Sequence, residues 1–454
     1  MGTTASREKI HPLINRNFTL LWFGQAISQV GDFFFDTTLV LWIATSLAKG
    51  QSWAPLAISG AALAATLPTL VVGPIAGVFV DRWDKRRTML RMDGLRAIII
   101  AMVLPAAGII PLPFLNGHLP VFWQLGYIYA LIVLENVCSQ FFSPSHLALT
   151  GDIVPEAMRS RAMSLSQITL NMALILGPSL AAPLYFGFGA QWAIIIDSIS
   201  FLGSFLAILL IRAPTAASSV TPGRRPHFLR EFGEGLRFFK GNRVLIALVV
   251  TGVLFQTGAG ASDALYILFI LSNLHTPPGL AGLFGTAYGS GVIATSFVLA
   301  LLARRLGEAR ILSFSLLSWG LFMVVFSRST SFVPGLITFF MLGVSNAGIN
   351  VTVGPLLLHT TPREFVGRFS SVMTPSITLA SMASAAMAGY LVSNVLRGLH
   401  ASLLNMAFGP LDTVFMVTGI LVVGAGVYAM LTLQGVALSR EQPVISAKEE
   451  AVKI

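Results

Sequence analysis

Apolar residues in this chain come in long, nearly unbroken runs, and polar residues gather in short clusters between them. Runs of 18 or more apolar residues are long enough to cross the roughly 30 Å hydrocarbon layer as helices. Reading the runs together with their breakers predicts twelve spans: 18–47, 54–80, 88–110, 121–142, 162–187, 191–212, 244–273, 279–303, 310–327, 332–360, 370–396 and 411–436. The first, seventh and tenth read long, which predicts tilt or ends that leave the bilayer. A polar stretch, 213–243, separates six spans from six. It starts Pro/Ser/Thr-rich and ends with apolar residues at helical spacing among basic ones, the pattern of a helix lying on a membrane surface.

Composition agrees. The 454 residues are 55% hydrophobic and only 11% charged, with a mean hydropathy of +0.78, too little polar surface for a water-soluble chain of this length. The expected fold is an all-α polytopic membrane protein, twelve transmembrane helices in two six-helix pseudo-symmetric halves. The expected units are a polar N-terminal segment (1–17), a first half (18–212), the linker (213–243), a second half (244–436) and a polar tail (437–454). Residues 1–17 lack an apolar stretch followed by a cleavage site, so the first span is expected to remain as an anchor.

The net charge of +10 invites a nucleic-acid reading, and its distribution removes it. With the N-terminus placed in the cytoplasm, 25 Lys and Arg fall on that side, three (Lys49, Arg328, Arg397) fall outside, and Arg96 alone falls within a span. Basic residues are retained on the cytoplasmic side, so both termini are expected there. Cys138 is the only cysteine, which excludes an intrachain disulfide and a Cys-rich metal site. The seven His are scattered, and no nucleotide-binding loop or nucleophile motif is present, so neither cofactor, metal nor catalysis is expected.

The halves echo one another. Pro155, Arg161 and Ser164 recur at the same spacing as Pro362, Arg368 and Ser371, each set between the fourth and fifth spans of its half. Arg82-x-x-x-x-Arg87 recurs as Arg305-x-x-x-x-Arg310 between the second and third. Transporters built from repeated halves place their substrate site between them, near the bilayer midplane.

Six of the seven residues 81–87 are charged. The arrangement Gly77-x-x-x-Asp81-Arg82-x-x-x-Arg86-Arg87 resembles the signature of the major facilitator superfamily. That resemblance implies that Gly77 lets helices approach, and that Asp81 with Arg82, Arg86 and Arg87 latches the two halves on the cytoplasmic side. Asp84 departs from it, where Gly is common. The Gly177-Pro178 stretch in the fifth span is similar to the antiporter motif of the same superfamily, with Ala in place of three glycines; a generic Gly-Pro kink is the alternative. Gly31-Asp32, the stretches 93–96 and 141–145, and Gly285-x-x-x-Gly289 are similar to the bacterial branch of macrolide-efflux proteins and enterobactin (siderophore) exporters. The branch implies an inner-membrane exporter of bulky amphipathic molecules, working by proton antiport and alternating access.

Ionisable residues inside spans are costly and therefore candidates for function. Asp32 and Asp36 share a face of the first span, and Glu135 lies well inside the fourth. In the implied fold both helices line the central cavity, so Asp36 and Glu135 are expected to face one vestibule. Carboxyls held away from water exchange protons nearer neutral pH, the chemistry of a proton-coupled exchanger, and they also attract cations. Asp32 is open to a structural reading. Asp93 and Arg96 are spaced to pair within one helix and read as a structural network with the basic loop. Asp197 and Asp263 read as solvated helix ends. Gln29, Asn346 and Asn350 are candidate polar residues of an otherwise apolar, aromatic cavity. Two other functions stay open, a transporter of lysophospholipid or another lipid, and a non-transporting receptor or scaffold.

Overall fold

The computed structural model describes residues 13–80, 82–108, 120–212, 243–360, 363–399, 401–403 and 406–451; at 78, 304, 360, 363–368, 371, 401–403, 406–407 and 434–451 it describes the backbone alone. Asp81, the linker and its expected surface helix lie outside these residues.

Eleven described helices are long and apolar enough to cross a membrane. They supply every expected span except the third, whose helix, Lys85–Ala101, has 17 residues and carries Asp93 and Arg96 at buried positions. It is held by packing against the fourth and sixth spans. The other boundaries shift in informative ways. The third span starts early because Asp84 is its N-cap, accepting the Arg87 backbone N–H at 2.7 Å. The residue that departs from the family signature thus starts the helix. The fourth span runs Val121–Ile153, past Pro144, and Ser145 donates to the Phe141 carbonyl at 2.8 Å in the turn that Pro144 interrupts. The second span is two helices, Ala54–Val71 and Gly73–Val80. The remaining spans are Arg16–Trp42, Arg159–Phe188, Ala190–Leu209, Arg243–Ser272, Gly282–Leu306, Glu308–Ser327, Phe332–Thr360, Arg363–Tyr390 and Pro410–Ala451. A hairpin, Ala401–Leu403 with Met406–Phe408, joins the last two.

In a bilayer each helix satisfies its own backbone, and association depends on close packing, which small residues permit. The packing list is the same in both halves. The first span packs on the fifth and sixth, the third on the fourth and sixth, and the second on the fourth. Six spans later, the seventh packs on the eleventh and twelfth, the ninth on the tenth and twelfth, and the eighth on the tenth. Gly320 and Gly419 bring the ninth and twelfth helices into backbone contact; a Cβ on Gly320 would stand 2.6 Å from the Gly419 carbonyl oxygen.

The halves meet along two seams, fifth span on eighth and second on eleventh. Both are tightest at the end of the bundle opposite Arg16. A Cβ on Gly282 would collide with the Pro178 carbonyl, and one on Gly285 would stand 2.7 Å from Pro178 Cβ. A Cβ on Gly389 would collide with Ser59, and Leu56 N–H donates to Ser393 Oγ at 3.1 Å. At the other end the described residues of the two halves share no hydrogen bond or ion pair. Among the described residues, the tight contacts between the halves therefore gather at one end of the bundle.

This seam has a direct test. Ser59→Cys with Gly389→Cys, in a Cys138→Ser background, should cross-link under mild oxidant once the helices give by about 1 Å, since the two Cβ positions lie 2.7 Å apart and a disulfide needs about 3.5–4.5 Å. Cross-linking should arrest transport, and reductant should restore it. Transport that continues through a complete cross-link would mean that this seam does not open.

Candidate functional site

The charges inside the N-terminal half converge on Arg96. Its Nε donates to Glu135 Oε1 at 2.6 Å, and its Nη2 to Asp32 Oδ1 at 3.2 Å. The guanidinium also lies 3.9 Å from the centroid of the Phe201 ring. Glu135 Oε2 accepts from Asn136 Nδ2 at 2.8 Å. Four spans thus contribute to one cluster: Asp32 from the first, Arg96 from the third, Glu135 from the fourth and Phe201 from the sixth. The sequence expectation of an Asp93–Arg96 pair is corrected here. Asp93 is fully buried close to Ser204, and neither of its carboxylate oxygens makes a hydrogen bond. Arg96 turns to its neighbours because a two-pronged guanidinium satisfies more donors between two helices than along its own.

Asp36, one turn beyond Asp32, makes no hydrogen bond or ion pair among the described residues. It lines a cavity of about 320 Å³ between the halves, facing Ile132, Gly260, Asp263 and Ser381. Glu135 does not line that cavity, because Arg96 holds it. The expectation that Asp36 and Glu135 share one vestibule is therefore replaced by a pair of carboxylates, one from each half: Asp36 and Asp263.

Asp263 was expected at a solvated helix end. It instead borders two chambers, that of Asp36 and one of about 370 Å³ lined mostly by the C-terminal half, with Phe33, Leu174 and Pro178 of the first half at its edge. Asn346 lines the second chamber, and Asn350 Nδ2 donates to Asn346 Oδ1 at 2.6 Å. The signal for Asp263 is present in the sequence as a repeat. Gln29, Gly31 and Asp36 stand 13, 15 and 20 residues after Arg16, and Gln256, Gly258 and Asp263 stand at the same distances after Arg243. The packing is repeated too: Gly31 faces Asp197 and Ser200 of the sixth span, and Gly258 faces Thr418 and Val422 of the twelfth. Asp197, also expected at a solvated end, is 1% exposed under Gly31. Gln29 Oε1 is buried without a hydrogen-bond partner.

The two family-like motifs divide. A Cβ on Gly177 would collide with Phe33 of the first span, and Pro178 packs against Gly282 and Gly285 of the eighth. The fifth helix runs unbroken through Pro178 and Pro183, so this motif is a packing seam between halves. The loop motif makes no such contact among the described residues. Arg86 donates from Nε to the Ile208 carbonyl at 3.1 Å and from Nη2 to that of Leu209 at 2.8 Å, capping the sixth span of its own half. Arg82 and Arg87 are exposed, and a Cβ on Gly77 would meet nothing within 4 Å. Among the described residues, then, nothing makes the close approach expected at Gly77.

Removing one member of a buried charge cluster leaves the others uncompensated, at about 3–5 kcal/mol. Arg96→Met should therefore lower the thermal midpoint of the purified protein by several degrees, and adding Glu135→Met should recover part of it. A single variant as stable as the parent would show that Arg96 does not hold these helices together.

The chain is similar along most of its length to bacterial transporters. It is 27% identical over 379 residues to the uncharacterized MFS-type transporter YfiS of Bacillus subtilis, covering 81% of this chain and 84% of the relative. It is 24% identical over 371 residues to macrolide efflux protein A of Streptococcus pyogenes, covering 80% and 86%. Its fold is similar to the crystal structure of a bacterial homologue of the iron transporter ferroportin in an inward-facing state, with a TM-score of 0.69 at 15% identity over 91% and 98% of the two chains. The MFS_3 profile, described as transmembrane secretion effector, matches residues 8–437. The chain belongs to this family of major facilitator transporters.

Proposed function

We propose that the protein is a secondary active exporter of bulky amphipathic small molecules, coupled to protons, in the bacterial inner membrane with both termini in the cytoplasm. The observation that carries this reading is Asp36: a carboxylate without a partner, in a cavity between the halves, one helical turn from a cluster of one guanidinium and two carboxylates. One positive against two negative groups leaves that cluster with one uncompensated negative charge when both acids are ionised. A proton taken up by the cluster or by Asp36 lowers the cost of carrying these groups through a closed, water-poor intermediate. A substrate entering the same cavity competes with that proton. Such competition makes the fluxes exchange.

With the termini in the cytoplasm, the tightly packed end is the outer one and the cavity faces the cytoplasm, the side from which an exporter loads. Rocking of the halves about the fifth–eighth and second–eleventh seams would then present the cavity outward. Similarity to macrolide efflux protein A supports an efflux direction and a bulky substrate. Membership of a transporter family weighs against the receptor or scaffold alternative.

Proteoliposomes carrying the Asp36→Asn, Glu135→Gln double variant should move macrolides, cationic dyes, siderophores and lysophospholipids no faster under a pH gradient than empty vesicles do, while the protein still elutes as a single folded species. Undiminished proton-driven movement in the double variant would sink carboxylate coupling.

A further inference from the structure

We propose that the chamber bordered by Asp263 in the C-terminal half binds a lipophilic organic cation, its charge on the Asp263 carboxylate and its apolar body among aromatic rings. The inference names a substrate class for the transport reading and rests on it.

The walls of the chamber are aromatic. Tyr266 and Phe339 stack at 5.6 Å between centroids, Phe255 meets Trp319 edge-on at 5.3 Å, and Tyr288 lies 5.7 Å from Phe339. The volume of about 370 Å³ is in the range that encloses a small organic molecule. Trp319 is 3% exposed and stands beside Tyr288 in this wall.

What the chamber lacks is a cation. Asp263 is in no ion pair among the described residues, and within the spans of this half Lys and Arg stand only toward the helix ends. The duplication shows what is missing. The Arg82/Arg305 match carries Arg96 onto Trp319, the Asp36/Asp263 match carries Asp32 onto Ala259, and the Pro155/Pro362 match carries Glu135 onto Leu342. Trp319, Ala259 and Leu342 all line this chamber. Where the first half holds a guanidinium and its two acids, the second holds an open, aromatic-walled space with one carboxylate at its edge. Ring faces attract cations, and a carboxylate without a counter-charge gains from a ligand that neutralises it. A neutral ligand leaves Asp263 uncompensated, and an anion is repelled.

The test is equilibrium binding to the purified full-length protein in nanodiscs, with radiolabelled tetraphenylphosphonium as the cation and triphenylphosphine oxide as a neutral analogue of similar shape. The parent should bind the cation more tightly than the analogue. Asp263→Asn should weaken cation binding by about tenfold and leave the analogue unchanged, and Asp263→Glu should retain the cation. Equal affinity for the two probes in the parent, no cation binding, or an Asp263→Asn variant that binds the cation like the parent would overturn the site. Gradient-driven movement of tetraphenylphosphonium in proteoliposomes, measured in parallel, separates the two readings. Movement with unaltered binding by Asp263→Asn sinks the site and spares export; selective binding by the parent without movement sustains the site and sinks export.

Discussion

A guanidinium at bilayer depth has to bring its counter-charges with it, and the N-terminal half is built around that requirement. Arg96 reaches Asp32 and Glu135 at hydrogen-bond distance and lies on the Phe201 ring, so one side chain ties the first, third, fourth and sixth spans together. The third helix is the short, charged one, unable by its length and composition to claim a span. Its buried guanidinium is met from neighbouring helices. The same cluster places excess negative charge one turn from the open cavity, so the feature that holds the half together also sets the electrostatics of its site.

The two halves keep one architecture and have parted in chemistry. Every principal helix pairing of the first half recurs six spans later, and the Gln-x-Gly-x-x-x-x-Asp segment recurs on the first and seventh spans with its glycine against the sixth and twelfth. The charged trio does not recur. Trp319, Ala259 and Leu342 stand in its place and enclose a chamber. In a duplicated fold, a position that carries charge in one copy and an aromatic ring in the other has been released from holding that copy together by ion pairing. Packing of Phe269, Phe326 and Phe415, whose centroids lie 4.8–5.9 Å apart, supplies cohesion in the second half instead.

The fold was legible because a bilayer reduces secondary structure to run length, and because basic residues mark one side. The site was legible only in part, and each miss has a physical cause. Pairing rules along one helix joined Arg96 to Asp93, whereas the guanidinium is met from two other helices, a relation that spacing along one chain segment does not contain. Counting depth from a helix end put Asp263 at a solvated edge; the rule fails for a helix of 30 residues whose ends need not coincide with the bilayer faces. Aligning the first and seventh spans by their leading arginines puts Asp263 opposite Asp36. Asp84 read as a flaw in the loop signature and is instead the cap that starts the third helix.

The composition of the closing seam bears on how the two halves can exchange access. Among the described residues a single hydrogen bond, Leu56 to Ser393, crosses between the halves, and no ion pair does. The contact is otherwise made by Gly282, Gly285, Gly389 and Pro178 against backbone and small side chains. Surfaces of this kind separate with little loss of polar bonding, and they are replaced by lipid or water without a charge being stranded. Asp36 and Asp263, one from each half, both line the cavity between them. A transporter whose seam is weak and whose cavity is charged leaves the balance between its open forms to whatever neutralises those two carboxylates. Under the proposed exchange, proton and cationic ligand would be alternatives for that role, and that competition would let one flux drive the other.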